Sequence, residues 1–186
     1  MKSTFSHTTA LFLFFLFGIF QMPQVCAQNS FREKNVLFFS PEIDPNVEEI
    51  KEATYTSLFS EVSDRFSISG NFKMLKSEFV TSYSNPENAI IKDFCVNNSA
   101  DFAVIPKVKF FKVGIGKYVL SSQVVVSMKL FDSNGMLISE STYDTFKKNA
   151  RILGSAENSI KLGAKGALKD VFKNLRKHKR ETERTS

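Results

Sequence analysis

The stretch from Ala100 to Phe146 constrains the fold more than any other part of the chain, because it contains three strand-like segments joined by two turns. The residues Asp132-Ser-Asn-Gly135 predict a hairpin, since Asn and Gly tolerate the positive φ angles that tight turns need. Gly114–Gly116 predicts the earlier turn. From Tyr118 to Leu130, apolar and polar residues alternate, which is typical of an antiparallel strand with one solvated face. The stretch therefore predicts a three-stranded antiparallel meander.

The polar face of this meander is a candidate interaction surface. Pro106 lacks an N–H group and cannot donate to a ladder, so we expect a sheet edge or a bulge there. Beyond it, the first two strands place polar side chains on the face opposite the apolar one. The candidate interaction residues on this face are Lys107, Lys109, Gln123 and Lys129.

The first half of the mature chain predicts alternating strands and helices. Asp44 is a suitable N-cap with Pro45 at the first helical position, and the apolar spacing that follows indicates a helix to about Ser63. Arg65–Gly70 alternates at period two and predicts a second strand. The remaining predicted elements are a strand at Asn35–Ser40, a short helix at Lys73–Tyr83 and a helix at Pro86–Val96.

A long basic helix is predicted at the C-terminal end, capped by Ser155 or Asn158 and running to about His178. Gly163 and Gly166 are costly inside a helix, so they indicate close packing against the sheet. Four lysines recur at four-residue spacing opposite the apolar face and form a second candidate interaction surface. They are Lys161, Lys165, Lys169 and Lys173.

Residues 1–27 have the features of a secretory signal peptide. Ala10–Phe20 is an apolar run of 11 residues, too short to cross a bilayer as a helix. Val25 and Ala27 occupy the −3 and −1 positions, so cleavage is expected between Ala27 and Gln28. A second interpretation makes Cys26 the acylated N-terminus of a lipoprotein, although the residues before it match a lipobox poorly.

These elements predict one α/β (α+β) domain over residues 28–178, followed by a disordered basic tail over residues 179–186. Its single mixed sheet would have about five strands, with helices packed mainly on one face. Residues 28–160 carry 15 basic and 16 acidic residues, whereas the chain from Lys161 onward carries nine basic and three acidic. The basic character is therefore a property of the last helix and the tail.

The sequence contains no recognisable catalytic, metal or cofactor motif. The two histidines are His7, in the leader, and His178, in the tail, which leaves no His-based metal site and no Cys–His or Ser–His pair. The single mature cysteine, Cys95, is expected to be a buried, inert thiol. We expect no cofactor and no enzymatic activity. A hydrolase that uses carboxylates alone ranks last, because Glu48 and its neighbours suit a solvated helix face.

The order of elements resembles bacterial envelope domains of the CsgG, TolB N-terminal and LpoB type. The resemblance implies a non-catalytic domain that serves assembly or protein contact, and it implies no active-site residues. It rests on Asn35–Ser40, on Asp64–Ile68 with Leu75 and Glu78, on Ala100–Val108, and on the hairpin from Val124 to Ile138.

The sequence thus favours an exported protein, periplasmic or secreted, or alternatively an outer-membrane lipoprotein. The first hypothesis is contact with another envelope protein or self-association. The alternative is an accessory protein whose basic helix binds an anionic lipid or polymer surface. Nucleic acid is disfavoured, because the basic helix lacks the interleaved aromatic residues that stack on bases.

Overall fold

The computed structural model describes residues 32–112, 120–147 and 155–185. The predicted signal peptide, its cleavage site at Ala27 and Gln28, the alternative lipidation site Cys26 and the predicted turn at Gly114–Gly116 lie outside these residues. Within them the chain forms six strands and three helices. In order these are β1 (Lys34–Ser40), β2 (Glu42–Asp44), α1 (Glu48–Ser69), β3 (Phe72–Val80), α2 (Asn88–Asn97), β4 (Phe102–Lys112), β5 (Leu120–Asp132), β6 (Leu137–Asp144) and α3 (Ala156–Thr185).

All six strands belong to one mixed sheet with the order β3-β1-β4-β5-β6. Strand β1 pairs in parallel with both β3 and β4. Strands β4, β5 and β6 pair antiparallel and form the predicted meander. The sheet has one strand more than predicted, because the short β2 also pairs with β4.

Strand β4 changes its parallel neighbour at Pro106. Residues 102–104 pair with β1 and residues 107–109 pair with β2. Pro41 separates β1 from β2 in the chain, and Pro106 of β4 lies opposite the gap between these two strands. A residue without an N–H group is tolerated there because the ladder is already interrupted on that side.

The two faces of the sheet carry separate cores. Even-numbered residues of β1, β4 and β5, such as Phe38, Val104 and Met128, pack with the two long helices α1 and α3. Odd-numbered residues, such as Leu37 and Ile105, pack beneath the short helix α2. The helices therefore lie mainly on one face, as predicted, because only α2 covers part of the other.

The predicted boundary after the first helix is wrong. Helix α1 continues to Ser69, and Phe72–Val80 is a strand rather than a helix. Phe66 follows Leu58 and Val62 at four-residue spacing, and all three are fully buried, so this stripe extends the helix. The alternation that suggested a strand is coincidental, because Ile68 is 79% exposed.

The start of α1 also differs from the prediction. Asp44 ends β2, and the helix begins at Glu48 after Val47, which provides no side-chain cap. Glu48 and Glu49 lie in the first turn as expected, where their negative charges interact favourably with the positive end of the helix dipole.

Helix α3 packs closely on the meander. Its N-terminus is capped by Ser155, whose Oγ accepts the N–H of Asn158 at 3.4 Å. A Cβ atom at Gly163 would meet Val126, and one at Gly166 would clash with the ring of Tyr143. These glycines therefore allow the close approach that the sequence predicted. The helix continues to Thr185, beyond the predicted end near His178.

Candidate interaction surfaces

The polar face of the meander is partly covered, which differs from the open face expected from the sequence. Lys129 is only 9% exposed, because the segment between β3 and α2 folds over it. Lys107 is partly buried and lies 2.5 Å from Glu42. Lys109 is exposed and lies 3.9 Å from Asp44. Gln123 is partly buried.

Tyr83 holds the covering segment in place through three of its polar groups. Its backbone N–H donates to Glu42 Oε2 at 2.8 Å, and its carbonyl oxygen accepts a hydrogen bond from Lys129 Nζ at 2.8 Å. Its hydroxyl donates to Glu140 Oε1 at 3.1 Å. Three strands thus supply one charged partner each, and hydrogen bonds to charged groups are the stronger kind.

The electrostatics of this cluster agree with its geometry. Burial raises the pKa of the Tyr83 hydroxyl, and the negative charge of Glu140 raises it further. Burial alone would raise the pKa of Glu42, but the hydrogen bonds from Lys107 and from the N–H of Tyr83 outweigh it and lower that pKa. Tyr83 therefore stays neutral and Glu42 stays ionised at neutral pH. The cluster ties the segment to the sheet.

The two edges of the sheet differ in how well they are protected. Strand β3 carries exposed lysines at Lys73 and Lys76, and its register with β1 shifts near Ser77. Edge lysines and bulges hinder pairing with a further strand. The β3 edge is therefore guarded from Lys73 to the bulge, and only its last residues, Phe79 and Val80, expose apolar side chains.

Strand β6 is less protected: its register with β5 shifts at Ile138, close to its start, and from Ser139 to Asp144 it pairs regularly. It contains no Lys and no Pro, and no strand of the described residues pairs with its outer side. Thr145 N–H donates to Val124 O at 3.1 Å. Because the direction of bonding alternates along an antiparallel strand, the backbone groups of Glu140, Thr142 and Asp144 point outward.

Exposed apolar side chains flank the β6 edge at both ends. Met136 is 65% exposed, Leu137 50% and Phe146 62%. Together with β6 they define the β6 edge surface, residues 136–146. This surface was not predicted from the sequence, although the absence of Lys and Pro from Leu137–Asp144 was a signal that could have indicated it.

The lysines of α3 do not form one uniform row. Lys161 lies 2.7 Å from Glu157, and its pKa is raised by that hydrogen bond and by the nearby charges of Glu157, Glu61 and Asp64. Lys165, Lys169 and Lys173 are exposed. Three of the four predicted lysines therefore face solvent without an acidic partner among the described residues.

The described residues contain no candidate metal site and no candidate membrane-spanning helix. No group of three or more His, Cys, Asp or Glu side chains converges where it could hold a metal ion in the described ranges. In those ranges, too, none of the helices combines the length and the apolarity needed to span a membrane. Cys95 is buried, as predicted, and burial, followed by the charge of Asp132, raises the pKa of its thiol to about 11.

No protein-family model matches the chain, and no curated protein matches it either. Solved structures show a partial likeness of fold. The PelC dodecamer from Paraburkholderia phytofirmans is 14% identical, with 73% of this chain and 88% of that chain covered and a TM-score of 0.45. A neuraminyllactose-binding hemagglutinin homolog from Helicobacter pylori is 12% identical, with 83% and 89% covered and a TM-score of 0.43.

TolB from Acinetobacter baumannii is 10% identical, with 77% of this chain and 28% of that chain covered and a TM-score of 0.42. TolB is among the proteins that the sequence pattern resembles. At these identities and TM-scores the likeness concerns the arrangement of strands and helices, and it carries no information on activity or partners.

Proposed function

We propose that the chain is an exported, non-enzymatic envelope domain that contacts another polypeptide through its β6 edge surface. The partner is a second copy of the chain or another envelope protein. The observation that carries the proposal is the contrast between the two edges of the sheet. Strand β3 carries exposed lysines and a bulge, whereas β6 has no lysine, is regular from Ser139 to Asp144 beyond its bulge at Ile138, and is flanked by exposed apolar side chains.

The chemistry of this edge suits an extended partner strand. Outward backbone N–H and C=O groups supply hydrogen bonds to an added strand, and side-chain contacts at its ends supply specificity. Met136 and Leu137 lie at one end of β6 and Phe146 lies just past the other. A regular edge without lysine or proline and with apolar flanks is a site at which chains associate.

The site also has a rigid support. Ser139 and Ser141 are buried under α3, and Asn174 Nδ2 donates to Ser139 Oγ at 3.0 Å. On the other face, Glu140 accepts the hydroxyl of Tyr83. Strand β6 is therefore fixed on both faces, and its outer edge can bind a partner without rearrangement of the domain, a condition that lowers the cost of association.

The test is amide hydrogen exchange on the mature chain, measured alone at low and high concentration and with an envelope extract from the source organism. We expect slower exchange at Glu140, Thr142 and Asp144 on association, with little change at Ser139 and Ser141, whose amides already face β5. A chain that stays monomeric by light scattering and captures no envelope protein would contradict the proposal. Protection confined to β3 would contradict the assignment of the edge.

A further inference from the structure

The charge of this protein is concentrated on one helix. Helix α3 carries nine basic and four acidic residues, and α1 beside it carries two basic and five acidic. The two helices lie on the same face of the sheet, since Phe66 of α1 and Phe172 of α3 have their ring centres 4.7 Å apart. On this face of the sheet, a positively charged helix therefore lies beside a negatively charged one.

Five of the nine basic residues of α3 share a narrow strip of its circumference. At about 100° per residue, the side chains of the strip fall within about 80° of one another and extend along about 22 Å of the axis. All five are exposed. This strip, the cationic face of α3, consists of Lys165, Lys169, Lys173, Arg176 and Arg180.

We propose that the cationic face of α3 binds the surface of an anionic lipid bilayer. This surface is separate from the β6 edge surface and does not depend on it. Basic side chains near an anionic bilayer gain Coulomb energy from the whole negative surface, without specific pairing. The absence of acidic partners for Lys165, Lys169 and Lys173 within the described residues leaves their charges available for that attraction.

The mode of binding is peripheral, because the apolar side of α3 is already used. Ala164, Leu168 and Val171 are buried in the core between α3 and the sheet. An interfacial helix that inserts into lipid needs its apolar face free. Helix α3 can therefore lie on the headgroups through its cations but cannot enter the acyl region without unfolding the domain.

The shape of the face favours a planar surface over a linear polyanion. The outer side of a packed helix is a convex ridge, which a flat bilayer can contact along its whole length. Proteins that bind single-stranded nucleic acid use a groove with aromatic side chains, and the exposed strip contains none. Phe172, the one Phe, Tyr or Trp residue of α3, packs on Phe66.

Lys161 is excluded from the binding face although it continues the spacing of the others. Its ammonium group is held by Glu157 at 2.7 Å and faces the carboxylates of Glu61 and Asp64 on α1. The bilayer should therefore contact the C-terminal two-thirds of α3 and avoid the acidic end of α1. The proposed binding face therefore keeps three of the four lysines predicted from the sequence and adds Arg176 and Arg180.

The test is cosedimentation of the mature chain with vesicles of phosphatidylcholine, with and without phosphatidylglycerol, at low and high salt. We expect binding only to the anionic vesicles, and its loss at high salt as the charges are screened. The triple variant K165Q/K169Q/K173Q should lower the partition coefficient on the order of 100-fold, since each basic residue contributes about fivefold.

The matched control is R32Q/K92Q/K147Q, which removes three exposed cations that do not belong to α3 and gives the same net charge. It should bind anionic vesicles nearly as well as the parent chain. Equal losses in the two triple variants, or no binding to anionic vesicles at low salt, would overturn the proposal. Retention on a soluble polyanion such as heparin without binding to vesicles would also overturn it.

Discussion

The ammonium group of Lys129 donates a hydrogen bond to the carbonyl oxygen of Tyr83 at 2.8 Å and lies 4.7 Å from the centre of the Tyr83 ring. One lysine thus holds both the backbone and the aromatic ring of a residue 46 positions away in the chain. This contact covers part of a sheet face that the alternating sequence pattern predicted to be exposed to solvent. It also fixes Glu140 of β6, which accepts the Tyr83 hydroxyl.

Substitution of Lys129 should therefore destabilise the domain, although a lysine on a strand is ordinarily exposed and contributes little to stability. In Lys129→Met the carbonyl of Tyr83 loses its charged donor, and we expect a loss of about 1–3 kcal/mol in the free energy of unfolding. Chemical denaturation followed by circular dichroism measures it. Lys109→Met, which removes an exposed ion pair, should cost less than about 1 kcal/mol. Equal losses in the two variants would refute the role of the Lys129–Tyr83 contact.

The stability of the domain should fall in acid through Glu42. Its pKa is lower in the folded chain, because the hydrogen bonds from Lys107 and Tyr83 outweigh the cost of burial. A carboxylate of this kind stabilises the fold above its unfolded pKa of about 4.3. That contribution disappears as the pH falls through the lower folded pKa.

Urea midpoints measured across this pH range should therefore drop less steeply for Glu42→Gln than for the parent chain. The control Glu52→Gln removes an exposed carboxylate from α1 and should keep the parental pH dependence. A Glu42→Gln profile as steep as the parental one would show that the Glu42 hydrogen bonds do not contribute.

The close contact of α3 with β6 predicts an unusual response at Gly166. Glycine to alanine in a helix ordinarily stabilises by up to about 1 kcal/mol, but a Cβ atom at position 166 would clash with the ring of Tyr143. Gly166→Ala should instead cost about 1–3 kcal/mol in thermal or chemical unfolding. In a Tyr143→Ala background the same substitution should cost much less, and an unchanged penalty there would exclude the clash as its cause.

The thiol of Cys95 should resist modification while the chain is folded. Burial, together with the charge of Asp132, raises its pKa to about 11, so at pH 8 roughly one thiol in a thousand is ionised, and thiolate is the reactive form. Ellman's reagent should label the mature chain slowly under native conditions and rapidly in guanidinium. Equal rates in the two conditions would mean that the site is open.

Local patterns predicted the antiparallel part of the fold well. The hairpin at Asp132–Gly135 and the alternation in β5 depend on neighbours in sequence, and Gly163 and Gly166 correctly indicated close helix packing. The boundary between α1 and β3 was misplaced because Phe66 satisfies both a period of two and a spacing of four. The packing of the core shows that the four-residue spacing is the correct pattern, because Phe66 packs against Phe172 from the last helix.

The interaction surfaces were harder to predict, because they depend on what covers each face. A lysine at a polar position of an alternating strand predicts exposure to solvent. Lys129 is nevertheless buried, because the segment between β3 and α2 covers it, and no local pattern predicts where that segment packs. The openness of the β6 edge likewise depends on which strand lies last in the sheet. The exposed lysines of α3 were predicted because a helix that packs through one apolar stripe necessarily exposes the other side.

The central claim is that the β6 edge surface binds another polypeptide, and exposed apolar residues elsewhere provide a matched control. The variant L137K/F146K places two lysines at the ends of β6, where edge lysines oppose strand pairing. The control I68K/V96K makes the same change at exposed apolar positions of α1 and α2, where Ile68 is 79% and Val96 66% exposed.

The decisive measurement is light scattering of the mature chain and these two variants, combined with affinity capture from an envelope extract. We expect the parent chain and I68K/V96K to form the same oligomer or capture the same partner, and L137K/F146K to lose that association while it remains folded by circular dichroism. Undiminished association in L137K/F146K, or a loss only in I68K/V96K, would contradict the account.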